Sequence, residues 1–141
     1  MFISRLYNEP RFSGSRSAPR GCIEYDTPGA YEWTWPDGVD RAVVTCIGGW
    51  GASDEDDDGG GGGGGPARAE RLVLKTDATA TINVGSGGAT AGADGGDSEF
   101  LQSSTATEYC AADGGKGANG RTGGQGGQAL NSYGSIKNSG G

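Results

Sequence analysis

Between residues 114 and 128 glycine returns at every third position, Gly114, Gly117, Gly120, Gly123 and Gly126, with Gly115, Gly124 and Gly127 added. A period of three belongs to neither the α-helix nor the β-strand. It is the period of the left-handed polyproline II helix, which rises about 3.1 Å per residue and has no internal hydrogen bonds. The N–H and C=O groups of such a helix must find partners on neighbouring chains, and glycine along one edge lets a second backbone come close. The run therefore reads as a packed polyglycine II element of about 45 Å. Its other members Lys116, Asn119, Arg121, Gln125 and Gln128 are expected to face water or loop tips. Collagen shares the period but needs many more triplets, with proline between the glycines, and this run contains no proline. The stretch Gly115-Lys116-Gly117-Ala118-Asn119-Gly120 matches the dinucleotide fingerprint by letter only, because more glycine follows where the phosphate-binding helix would begin.

With 31 glycines among 141 residues and 33% hydrophobic residues, the chain has little side-chain volume for a conventional core. Such a composition is ordinarily a sign of disorder. Apolar, strand-like segments interleaved with the glycine runs argue for a fold instead, with neighbouring copies in a homo-oligomer expected to supply further contacts.

Residues 29–38 place Tyr31, Trp33 and Trp35 on one side of a strand and Glu32 and Thr34 on the other, closed by a turn at Pro36-Asp37-Gly38. The aromatic row reads as a core face in preference to a carbohydrate platform. Residues 41–47 are apolar on both faces, as in a strand covered on both sides, with Cys46 a small buried hydrophobe. Residues 68–75 and 78–84 alternate like strands with one wet face, and the short connection Thr76-Asp77 suggests a hairpin between them. Weaker strands are expected at 97–102 and 107–112, and Leu130, Tyr133 and Ile136 are the anchors of the last residues. Helical periodicity is absent. The expected fold is all-β, a small β-sandwich with polyglycine II-like elements and an extended N-terminal arm. Residues 1–28 form the arm and residues 29–141 the glycine-rich β domain.

The arm is basic: residues 1–20 hold four arginines against one glutamate, whereas the whole chain has a net charge of −7. Arg5, Tyr7, Arg11, Phe12 and Arg16 are its candidate attachment residues. The acidic body argues against nucleic-acid binding, since phosphate recognition needs a basic face. No apolar stretch approaches the roughly 20 residues of a membrane span, and residues 1–7 lack the hydrophobic middle of a secretory signal, so a soluble protein without membrane insertion is expected. Asp54, Glu55, Asp56, Asp57 and Asp58 directly precede seven glycines. Their mutual repulsion keeps them solvated, and they are a candidate contact for a basic partner. Calcium is a possible ligand of such a loop, although the EF-hand spacing is absent. Cys22, Cys46 and Cys110 have no paired spacing and read as reduced structural thiols. With no histidine, the commonest general base and metal ligand are both missing. No catalytic residue, metal or cofactor is expected, and the protein is not expected to be an enzyme.

One ordered set of residues is familiar: Tyr31, Trp33, Thr34, Pro36, Gly38 and Val39, then the strand Val43, Val44, Thr45, Ile47 with Gly48 and Gly49, then polyglycine, then Leu72, Leu74, Ile82, Val84 and Gly85. This order resembles the glycine-rich domain of bacteriophage tail-fibre and adhesin proteins over residues 29–128. The resemblance implies a virion protein at or near the tail tip, assembled in the host cytoplasm, with other virion subunits as partners. It also implies a sandwich of polyglycine II helices whose loop tips contact a host surface receptor. Trp50 and the acidic pentad interrupt the first glycine block, and no fibre shaft precedes the domain, so the basic arm is expected to stand in for a longer attachment module. A minor virion or capsid decoration protein without receptor binding, and a carbohydrate-binding module using Trp33 and Trp35, are the alternatives.

Overall fold

The computed structural model describes residues 1–7, 22–54, 60–102, 109–129, 132 and 134–141. Their strands are β1 (Phe2–Tyr7), β2 (Cys22–Glu24), β3 (Gly29–Thr34), β4 (Arg41–Ile47), β5 (Arg68–Leu74), β6 (Thr79–Val84), β7 (Ser98–Gln102), β8 (Cys110–Ala112) and β9 (Ile136–Asn138). They build two antiparallel sheets, the first in the order β2-β1-β4-β5-β9 and the second in the order β3-β6-β7-β8. The described chain is all-β, a small sandwich.

Alternation decides which side of each strand faces inward. Ala42, Val44 and Cys46 of β4 and Ala69 and Val73 of β5 meet Trp33, Ala80, Ile82, Phe100 and Cys110 of the second sheet, all of them buried. Trp33 lies edge-on to Phe100 at 5.7 Å and is tilted against Trp35 at 4.6 Å, arrangements favoured by the ring quadrupole. Both indoles are therefore core, and neither can serve as a sugar platform. As its two-sided apolar pattern requires, β4 is central in the first sheet, and even its outward Thr45 is buried.

The structure corrects three expectations. Strands β5 and β6 are not a hairpin. They lie in opposite sheets, with β5 packed across from β8, because that arrangement turns Ala69 and Val73 of one sheet and Ala80 and Ile82 of the other into a shared core. Gln102 holds the crossing, its side chain accepting from the Thr76 amide at 3.1 Å and donating to the Leu74 carbonyl. The first residues are not a detached arm either. Phe2–Tyr7 pairs with β4 and β2, Met1 and Ile3 are buried, and the Met1 amino group donates to the Tyr25 carbonyl at 2.7 Å. The hydrophobic spacing of Met1 and Ile3 places them on the core side of an added strand. Finally, the run 114–128 is not one continuous rod. It reverses at Asn119–Thr122, where the two residues exchange amide–carbonyl bonds of 3.0 Å and Gly120 takes a left-handed φ of 55°.

That reversal makes the third of three glycine hairpins that grow from the strand ends. The first joins β4 to β5 through residues 48–54 and 60–67, the second joins β6 to β7 through 85–88 and 93–97, and the third leads from β8 through 113–119 and 122–128 towards β9. In the first hairpin the β4–β5 register runs on without a slip. Beyond the pair Ile47 and Arg68, the amides of Gly48, Gly51 and Asp54 donate to the carbonyls of Ala67, Gly64 and Gly61. Bonds now recur at every third residue, the polyglycine II pattern.

Close packing makes the glycines obligatory at specific positions. A Cβ on Gly64 would stand under 3.0 Å from the Gln125 carbonyl oxygen, and one on Gly51 equally close to that of Lys116. At Gly62 a Cβ would meet nothing within 4 Å. Gly64→Ala should therefore cost about 1–3 kcal/mol, the typical penalty of overpacking, whereas Gly62→Ala should leave stability unchanged or raise it by roughly 0.4–1 kcal/mol. Urea unfolding of the two variants checks the contrast.

Candidate functional site

The six glycine segments form a bundle whose innermost member is 113–119. Its amides rotate through three directions. Gly114, Gly117 and Gly120 donate to the carboxylates of Asp97, Asp94 and Asp54 at 2.9, 2.9 and 2.7 Å. Gly115 and Ala118 donate to the carbonyls of Gly49 and Ala52, and Lys116 and Asn119 donate to those of Gln125 and Thr122. Each face of the three-fold helix thus has its own partner, and the glycines that set the sequence period lie on the face that meets aspartate. Asp113 continues the theme by accepting from the Gln128 amide at 2.8 Å. Several acidic residues are consequently structural acceptors placed where a neighbouring carbonyl is missing.

Asp94 also meets Lys116 at 3.2 Å. Its bond from the Gly117 amide, followed by the one from Lys116, holds its carboxyl below the usual carboxylate value, and Asp94 in turn raises the Lys116 ammonium. These groups are exposed, so solvent weakens the pair.

At the end of the bundle away from the sandwich, the turns at 90–93 and 119–122 adjoin the described residues Ser53, Asp54 and Gly61 of the first hairpin. The turn at residues 90–93 is closed by the Ala93 amide on the Thr90 carbonyl, with Gly92 at a φ of 72°. It is tied to the first hairpin by the Gly92 amide on the Ser53 carbonyl, at 3.1 Å. The turn at 119–122 is tied to the same hairpin twice, through Asp54 and through the Gly61 amide on the Gly120 carbonyl. Ser53, Ala89, Thr90, Ala91, Asn119, Arg121 and Thr122 are exposed there. The result is a tip built from three separate stretches of sequence on a backbone scaffold.

Of the acidic pentad, Asp54 lies at this tip and is partly engaged as a cap, while Glu55, Asp56, Asp57 and Asp58 lie outside the described residues. Arg5 and Tyr7 belong to β1. Tyr7 is opposite Arg41, at the end of the sheet remote from the glycine bundle. Arg11, Phe12 and Arg16 lie outside the described residues. Lys116, Asn119, Arg121, Gln125 and Gln128 are all exposed, as their place between the glycines suggested. The turns at 90–93 and 119–122 were not singled out in the sequence, although Asn119-Gly120 is a strong turn dipeptide.

A second surface is apolar. Ile47, Leu72, Leu74 and Ile136 point outward from the first sheet, and Trp50, three residues beyond Ile47, is 66% exposed. The second sheet carries Glu32, Thr34 and Thr81 on its outer face.

The family model described as a glycine-rich domain matches residues 26–141, and the chain belongs to that family. No curated protein and no solved structure matches it.

A depressed carboxyl stabilises the folded state above its ordinary value of 3.8 and loses that contribution as pH falls through the lower folded value. Asp94→Asn should therefore be less stable than the parent at neutral pH, with the gap closing below about pH 4. Urea midpoints across a pH series check this; a gap independent of pH would assign the effect to shape and not to charge.

Proposed function

We propose that this member of the glycine-rich domain family is a structural protein of a bacteriophage virion, placed in the tail, tail fibre or baseplate, and that its three hairpin tips contact the host receptor. The observation that carries the reading is the tip itself. Two turns, at 90–93 and 119–122, are brought beside Ser53, Asp54 and Gly61 of the first hairpin and fixed there by hydrogen bonds to their backbones. Side chains at 90–93 and 119–122 can then vary with little effect on the packing beneath them, which suits a surface that must match changing receptors. The resemblance of residues 29–128 to tail-fibre and adhesin domains supports the same assignment.

In this reading the sandwich end joins the particle. The outward row Ile47, Leu72, Leu74 and Ile136 suits burial against a neighbouring virion subunit, either another copy of this chain or a different one. The same row favours the second reading, a minor virion or capsid decoration protein without receptor contact. The basic residues Arg5, Arg11 and Arg16 add charge for attachment. Neither reading calls for catalysis, a cofactor, nucleic-acid binding or insertion into a membrane.

The two readings separate on adsorption. Replacing Glu55, Asp56, Asp57 and Asp58 by Ser and Thr90 by Glu, with Asp54 kept as the cap of Gly120, should leave the protein's content in purified particles unchanged. Adsorption to host cells should fall at least about tenfold, the loss of one or two good contacts. Normal adsorption by particles with a full complement of the variant supports the decoration role and sinks the receptor role.

A further inference from the structure

Cys46 and Cys110 are 64 residues apart in sequence and come from opposite sheets, yet they meet inside the sandwich. The Cys46 thiol donates to the Cys110 carbonyl at 3.3 Å, the Cys110 thiol lies 3.8 Å from the Val44 carbonyl, and both side chains are fully buried. The backbones around them are close for facing sheets, which ordinarily lie about 10 Å apart. Strand β8 has backbone within 8 Å of β4, and a Cβ placed on Gly48 would run into the carbonyl of Asp113. Disulfides span Cα separations of about 4.4–6.8 Å, and each thiol already reaches the backbone of the facing strand. Small residues flank the pair: Ala69 is opposite Cys46 in the β4–β5 register, and Ala111 and Ala112 follow Cys110 in β8.

We propose that Cys46 and Cys110 are a latent inter-sheet disulfide, closed by exchange with a low-molecular-weight disulfide such as oxidised glutathione. The thiolate of Cys110 attacks one sulfur of the small disulfide, forming a mixed disulfide and releasing one thiolate. The thiolate of Cys46 then attacks the Cys110 sulfur, closing the protein disulfide and expelling the second small thiolate. The protein loses two electrons and two protons; the small disulfide is reduced to two thiols. Cys110 is the entry point because β8 is a three-residue strand at the edge of its sheet, where local opening is easiest. Cys46 sits in the central strand, where its hydrogen bond to Cys110 and its burial push the thiol well above its ordinary range, so it is the resolving partner and not the first nucleophile.

The bond would tie the sheets together directly below the glycine bundle, two residues before Gly48 and four before Gly114. It would form in oxidising surroundings and stay open in reducing ones. The third cysteine, Cys22, is exposed on β2 and has no part in it.

The test uses the full chain carrying Cys22→Ser, incubated with oxidised glutathione or with dithiothreitol, then unfolded in alkylating reagent and digested with trypsin. The expected result is a mass lower by two hydrogens after oxidation and a cross-linked pair of peptides, one holding Cys46 and the other Cys110. The melting temperature should rise by at least ~5 °C on oxidation, as closure of a long loop implies, and Cys110→Ser should abolish the rise. Full alkylation of both cysteines after oxidation, or a persistent glutathione adduct with no cross-linked peptide, overturns the proposal. A cross-link without a rise in melting temperature contradicts the stapling. Should Cys110→Ser fail to fold, the peptide result on the Cys22→Ser chain decides alone.

Discussion

The amides of residues 113–120 leave their own segment for an acceptor on another segment, another turn residue or a side chain, and they can do so because glycine keeps neighbouring backbones in contact. A helix with no internal hydrogen bonds is stable in a folded protein only as part of a bundle. In a bundle this tight, one added methyl at Gly51, Gly64, Gly115 or Gly124 collides with a carbonyl of the adjoining segment. Glycine loses the most backbone entropy on folding. Hydrogen bonding and contact between neighbouring backbones must offset that loss, since side chains contribute little in this half of the molecule.

The sandwich and the bundle therefore work as one structure with two kinds of core. Around Trp33, Ile82 and Phe100 the chain is held by apolar burial. Beyond Ile47, Val84 and Ala112 the same strands continue as three-fold helices, and their register carries the order of the sheets out to the tip. Aspartates finish the bundle where carbonyls run out. The acidity of the chain is thus partly architectural, with Asp54, Asp94, Asp97 and Asp113 each spoken for by a backbone amide.

Much of this was legible in the sequence because period and alternation are local properties. The period at Gly114, Gly117 and Gly120 announced three-fold helices, and the alternation at Tyr31, Trp33 and Trp35 announced a core face. Pairing between distant segments was not legible in the same way. Thr76-Asp77 is short enough for a hairpin, and only the need of each sheet to turn an apolar face to the shared core sends β5 and β6 to different sheets. Met1 and Ile3 looked like part of an arm because two apolar residues fix no partner; β4 supplies it. The tip was half visible. Asp54 stood out as part of a charged run, whereas the turn at 90–93 is made of threonine, alanine and glycine and becomes notable only when the fold sets it beside Ser53. Nothing in the spacing of Cys46 and Cys110 foretold that they would meet.

Amide hydrogen exchange reads the central claim, that the glycine runs are a hydrogen-bonded bundle and not linkers, most directly. The amides of Gly49, Gly64, Gly95, Gly115 and Gly124 all donate to carbonyls of neighbouring segments. They should exchange as slowly as the core amides of β4, so that opening the bundle takes much of the global unfolding free energy. Exchange of these five glycines at the rate of an unstructured chain, with β4 still protected, would contradict the account.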